Sequence, residues 1–452
     1  MTDHHPLVTT TRGPVRGERR PSGDRFLNIP YAQPPVGDLR FAAPVPPEPW
    51  TEPLDATAYG PTAQRKPFAD VTIIPEPTIP GAGVLNLNVF TPRAEQAPEE
   101  GGLPVLVWIH GGGYVAGSAA SPWYDGATFN RDGVLLVSLG YRLGVEGFLH
   151  LSDAPDNRGV RDWIAALEWV RDNIAAFGGD PAKVTIAGQS AGGGAVQTLL
   201  ATPSARSLFR AAISVSGAVM QPQDRAQGHA VAGLFTARTG VPATAKALRD
   251  VSYDELYAHQ DALNAPGTDR EGGLAQMLLT APFADGDLIP EPVTGVLTDG
   301  GTGADEKPLM LGFTRHEFDG MGVPGLTDVI FRRPNLTIAE GRAARELPTW
   351  LYEFRWLSGA EGPMRGQAFH CLDLPFAFDA LDAENVTEVA GPNPPQRLAD
   401  AMHGAWVGFV RDLDPGADWP RYTREARATR VWDTETVVTD DALKAEREGW
   451  LG

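Results

Sequence analysis

Short, mostly apolar runs recur through the middle of the chain. Val105 to Ile109, Val134 to Leu139, Lys183 to Ala187, Ala211 to Ser216 and Pro308 to Gly312 each read as a strand buried on both faces. Between the second and third runs, Trp163, Leu167, Val170 and Ile174 follow one another at spacings of 4, 3 and 4. That spacing predicts a helix with one apolar face, ended by Gly178-Gly179-Asp180-Pro181. A helix of small residues is predicted from Ala191 to Leu200. Strands alternating with helices predict an α/β fold with a mostly parallel sheet covered on both sides.

The flanks differ. The first 60 residues alternate short β-type runs with Pro and Gly turns, which predicts hairpins, and Val84 to Phe90 alternates with period two. Residues 61–83 are Pro-rich and irregular. Residues 220–300 are more polar and predict a helical insertion. Thr349 to Trp356 and Arg430 to Asp433 predict late strands, and Pro395 to Phe409 a late helix. No internal repeat is visible, so residues 1–452 are expected to form one domain.

Composition narrows the function classes. The formal charge is −19, which disfavours nucleic acid and anionic membrane surfaces as partners. No stretch approaches the length of a membrane span. Cys371 is the single cysteine, so no intrachain disulfide forms. With no signal-peptide pattern at the start, a cytoplasmic location is expected. Only 5 of the 38 basic residues are lysine, which suggests a high-GC bacterial coding bias.

The sharpest local chemistry is Gly188-Gln189-Ser190-Ala191-Gly192, between a buried strand and a helix start. A serine on such a turn holds strained backbone angles that expose its hydroxyl, and glycines are needed where side chains would collide. The N–H of Ala191 and the helix's positive end then face the developing oxyanion. His110-Gly111-Gly112-Gly113 follows the strand ending at Ile109. Its glycines allow backbone N–H groups to crowd a ligand atom, and Gly112 and Gly113 are the expected second pair of donors. A structural role in this turn is expected for His110. Neither His-Glu-x-x-His nor a paired Cys-x-x-Cys occurs, and no metal or organic cofactor is expected.

These motifs, with Ile29-Pro30-Tyr31-Ala32-Gln33-Pro34-Pro35-Val36-Gly37, Leu87-Asn88-Val89-Phe90-Thr91-Pro92, Tyr141-Arg142-Leu143-Gly144, and Phe177-Gly178-Gly179-Asp180-Pro181, resemble the type-B carboxylesterases along nearly the whole chain. That family of α/β-hydrolases includes bacterial para-nitrobenzyl-type esterases and cholinesterases. The resemblance implies a Ser-Glu-His triad. Its acid falls in Gly312-Phe313-Thr314-Arg315-His316-Glu317, and its base opens His370-Cys371-Leu372-Asp373-Leu374-Pro375-Phe376. Ser190, Glu317 and His370 are the implied nucleophile, acid and base, and Ser216 is implied to hydrogen-bond near the acid. The implied reaction is hydrolysis of a small-molecule ester through an acyl-enzyme; amide or carbamate hydrolysis, or a non-catalytic recognition module, are the alternatives.

Departures from the pattern matter too. Gln189 stands where relatives carry an acid, which argues against cationic choline esters. Ala82-Gly83-Val84 replaces Glu-Asp-Cys, so the family's disulfide is absent and Arg40 loses its usual acidic partner, whereas Arg142 and Asp162 are both kept. The short interval between Glu317 and His370 predicts reduced covering structure at 318–330 and an open pocket for bulky esters.

Overall fold

The computed structural model describes residues 5–63, 66–67, 72–94, 101–218, 223–265, 279–301, 306–319 and 325–451. Its strands are β1 (Leu7–Thr9), β2 (Pro14–Arg16), β3 (Glu18–Arg20), β4 (Gly23–Pro30), β5 (Leu54–Asp55), β6 (Asn86–Thr91) and β7 (Leu103–Ile109) in the first part of the chain. The remainder are β8 (Leu135–Leu139), β9 (Gly179–Gln189), β10 (Ala211–Val215), β11 (Leu309–Thr314), β12 (Thr349–Phe354), β13 (Ala428–Trp432) and β14 (Val437–Asp440). An 11-stranded sheet runs in the order β14-β13-β12-β11-β10-β9-β7-β8-β6-β4-β3, and β1, β2 and β5 form a small second sheet. The strands from β13 to β8 pair in parallel, and the antiparallel pairs are at the two ends.

Period two explains the unbroken apolar runs. On β7, Val105, Val107 and Ile109 join one buried cluster while Leu106 and Trp108 join another. The sheet therefore has a core on each face, so alternation disappears from the sequence. Helix Arg158–Asn173 buries Trp163, Leu167 and Val170 in the first cluster, and helix Gln396–Asp412 buries Met402, Trp406 and Phe409 in the second. Within 220–300 the described residues include the helices Arg225–Thr239, Ala245–Leu248, Tyr253–Asn264 and Val293–Asp299, whereas 279–292 is irregular. Helices Arg225–Thr239 and Tyr253–Asn264 start on capping boxes, Asp224 with Gln227 and Ser252 with Glu255. They form a smaller core against Val145, Leu149 and Leu151.

Two ion pairs tie the loops at the sheet's carboxyl edge. Arg142 and Asp162 meet at 2.6 Å, both buried. Arg40 finds a different acid from the usual one: its Nε donates to Glu146 at 2.7 Å, and its guanidinium reaches the carbonyls of Leu248 and Arg249. A buried guanidinium without such partners would be costly.

Strand register sets the site's location. Ile109 pairs with Gly188, Ser214 with Gly188 and Leu311, and Val215 with Gln189 and Gly312. The carboxyl ends of β7, β9, β10 and β11 therefore stop at nearly one level, side by side. In an open parallel sheet, ligands bind where such ends line up.

Candidate active site

Ser190 follows the last residue of β9 and precedes helix Ala191–Leu200. Its φ of 59° and ψ of −120° lie outside the regions open to ordinary L-residues. The turn is held on both sides: Ser190 N donates to Val215 O at 2.9 Å, and Ser190 O accepts from Gly194 N at 2.9 Å. From Val184 to Leu200 every residue is buried except Ser190. The glycines have steric causes. A Cβ on Gly192 would lie 2.1 Å from Ile109 O, and one on Gly188 would lie 2.4 Å from Gly192 O. The helix can approach β7 only because both are absent.

The loop after β7 carries Gly112 and Gly113, the expected donors. Gly112 and Gly113 take φ of 99° and 62°, and Val115 and Ala116 N both donate to Gly112 O. Ala191 is the first residue of its helix, where an N–H has no acceptor within the helix. His110 sits below this turn, buried, with its ring stacked 4.5 Å from Tyr141. Burial pushes its imidazole down to about 4, so it stays neutral at physiological pH.

Glu317 and His370 are joined by backbone as well as side chain. An isolated parallel bridge pairs Glu317 with Phe369, and His370 N donates to Glu317 O at 3.1 Å. The Glu317 carboxylate is fully engaged. Oε1 accepts from Ser216 Oγ at 2.7 Å and Thr314 N at 2.8 Å, and Oε2 bonds His370 Nδ1. Ser216 thus has the implied place beside the acid. Ser190, Ser216, Glu317 and Cys371 all hold positive φ, a concentration of strain of the kind that marks working sites. The Cys371 thiol is buried and pushed well up by that burial, which leaves it unreactive.

Two features had no signal in the sequence. Phe318 and Phe331, 5.1 Å from each other, pack on one side of the His370 ring at centroid distances of 4.6 and 4.8 Å. Gln189 Nε2 lies 3.0 Å from His370 Nε2, and among the described residues no hydrogen bond joins Ser190 Oγ to the imidazole. The expected covering segment at 318–330 includes residues 320–324, which lie outside the described residues.

Asp373, buried three residues beyond His370, accepts from Tyr352 OH at 2.9 Å. Burial, aided by the Glu317 charge, pushes its carboxyl up to about 7. The unfolded chain gives up this proton near pH 4 and the folded chain only near 7, so stability falls as pH rises across that window. Asp373→Asn keeps an acceptor for Tyr352 and removes the titration. Its melting temperature relative to wild type is expected to rise by a few degrees between about pH 4 and 7. A difference that stays constant with pH would contradict this.

Comparison with known proteins follows this geometry. The carboxylesterase family model matches residues 4–323. The chain is 34% identical to the para-nitrobenzyl esterase of Bacillus subtilis (strain 168), over 98% of each chain. It is 32% identical to the phenmedipham hydrolase of Pseudarthrobacter oxydans, over 98% of this chain and 97% of that one. A solved para-nitrobenzyl esterase superposes with a TM-score of 0.84 at 32% identity, covering 98% of this chain and 99% of the other. A carboxylesterase of Geobacillus stearothermophilus superposes with a TM-score of 0.81 at 30% identity and the same coverage. With an α/β-hydrolase sheet, a strained serine at its carboxyl edge and matches of this extent, the chain belongs to the carboxylesterase family.

Proposed function

We propose that the enzyme hydrolyses small carboxylic esters through an acyl-enzyme on Ser190, with His370 as base and Glu317 as its orienting acid. The carrying observation is that the one residue not buried between Val184 and Leu200 is a strained serine, and that its neighbour Gln189 meets an imidazole already anchored to a buried carboxylate. His370 Nε2 takes the Ser190 proton as Oγ bonds to the ester carbon, and Gly112, Gly113 and Ala191 N–H groups hold the oxyanion. The carbonyl re-forms, the C–O bond to the alcohol breaks, and His370 returns the proton to the leaving oxygen. Water then repeats the sequence on the acyl group. Removing one such oxyanion donor costs about 2.7–4 kcal/mol in measured cases.

The missing acid at Gln189 supports neutral substrates, and the shortened 318–330 segment supports an open pocket. A single buried cysteine supports action in the cytoplasm, and among the described residues no helix is long and apolar enough to cross a membrane. The test is pre-steady-state hydrolysis of a para-nitrophenyl ester beside the matched anilide and carbamate. A burst equal to the enzyme present, with the acyl mass on Ser190, is expected for the ester. Faster turnover of the anilide or carbamate would reassign the substrate class, and acyl mass on another residue would overturn the nucleophile.

A further inference from the structure

The neutral imidazole of His370 has one proton and one lone pair. Its Nδ1 bonds the Glu317 carboxylate, which can only accept, so Nδ1 carries the proton. Nε2 therefore presents the lone pair, and the group facing it is the amide of Gln189 at 3.0 Å. The amide must be donating an N–H, which fixes its orientation. This lone pair is the one that receives the Ser190 proton. A lone pair in use by one donor is closed to another.

The amide is seated rather than loose. Gln189 is buried at the end of β9, with its backbone in register with Val215. A Cβ on Gly111 would lie 2.7 Å from Gln189 O, so the strand's backbone requires glycine there, and 3.0 Å from Gln189 Oε1, so the amide packs closely over that glycine. The imidazole packs on one side against Phe318 and Phe331, which touch each other, and is tied through Nδ1 to Glu317. Both partners are thus held where they meet.

We propose that Gln189 is a positioning residue that caps the base in the unliganded enzyme, and that acylation must exchange the Gln189–His370 hydrogen bond for the Ser190–His370 one. The proposal rests on His370 serving as the base of Ser190. The cap is specific to a side chain that can donate: a thioether of similar length cannot, and a carboxylate cannot. Until substrate displaces it, the base is withheld from the serine, and the enzyme's reactivity toward small electrophiles is held down.

The test uses the full-length protein with Gln189→Met and Gln189→Glu. Diisopropyl fluorophosphate reports the base directly, because Ser190 Oγ bonds to phosphorus, fluoride leaves and His370 takes the proton. Gln189→Met is expected to be phosphorylated about 5-fold faster than wild type, the worth of one net hydrogen bond, and Gln189→Glu no faster, because its carboxylate favours a proton on Nε2. Nitrogen-15 NMR of labelled histidine supplies a readout that a merely structural role would not move. The His370 Nε2 signal, identified by its loss in His370→Ala, is expected to shift in both variants relative to wild type.

Wild-type or slower phosphorylation of Gln189→Met overturns the cap, as does an unmoved Nε2 signal. A gain confined to Gln189→Glu also overturns it, since charge rather than the donor would then be responsible. Failure of the nucleophile assignment is separable: Ser190→Ala would keep its esterase activity while the Nε2 signal still reported the Gln189 contact.

Discussion

Ser190→Ala is expected to lower kcat on a para-nitrophenyl ester by about 10⁶-fold, the scale seen when the serine of such a triad is removed. The loss should fall on kcat with little change in KM, because the hydroxyl contributes to bond formation and little to ground-state binding. Stability gives the control. The residue holds φ at 59°, a conformation that costs about 1–3 kcal/mol for a non-glycine residue. Ser190→Gly removes the hydroxyl and relieves that strain. It should be as inactive as the alanine variant while melting no lower than wild type. An active alanine variant would remove the nucleophile, and a glycine variant that unfolds would show that the turn is held by something other than its backbone contacts.

The strain also shows which parts of the molecule were legible. Ser190 was readable because its constraint is local: glycines at 188 and 192 are demanded by backbone atoms 2.1–2.4 Å from where Cβ atoms would sit. The buried strands were readable because a two-sided core leaves unbroken apolar runs. Helix Arg333–Ala344 was not predicted, since its buried face includes Asn335 and Arg342 beside Leu336 and Ile338. Asn335 donates to Gly217 O and Phe331 O, and Arg342 to Lys307 O, so polar side chains fill places where periodicity would require apolar ones. The edge strand Val437–Asp440 and helix Lys444–Leu451 also escaped prediction; the strand is largely exposed and carries no apolar signal of its own.

Among the triad candidates, His370 is one of nine histidines, and nothing in its neighbours marks it as a base without the family resemblance. Its pairing with Glu317 arises from a backbone bridge between loops 53 residues apart. Gln189 and His370 lie 181 residues apart, and their contact follows only from the way β9 and that loop converge. Arg40 illustrates the same limit: the absence of its expected acid was readable, but Glu146 as the replacement was not. Local steric demands leave a trace in one sequence, whereas complementarity between distant loops does not.

Glu317→Gln is expected to reduce kcat by about 10⁴-fold, through the proton's position rather than through lost shape. In the wild type both carboxylate oxygens accept: Oε1 from Ser216 Oγ and Thr314 N, Oε2 from His370 Nδ1. A glutamine amide has one oxygen and one NH₂ group. Two donors converge on the Oε1 side, and the Thr314 N–H cannot become an acceptor, so the amide oxygen must stay there. The NH₂ group then faces His370 Nδ1 and donates to it. The imidazole is forced to carry its proton on Nε2, where it can no longer accept one from Ser190. The folded structure should survive, because each contact at residue 317 finds a partner of the opposite kind and the Gln189 amide can turn its oxygen toward the new Nε2–H. Nitrogen-15 NMR should show the His370 proton moved from Nδ1 to Nε2, and kcat should fall while the melting temperature changes little. Near-wild-type turnover with Nδ1 still protonated would mean that Glu317 does not set the tautomer, and another acid would then have to orient the base.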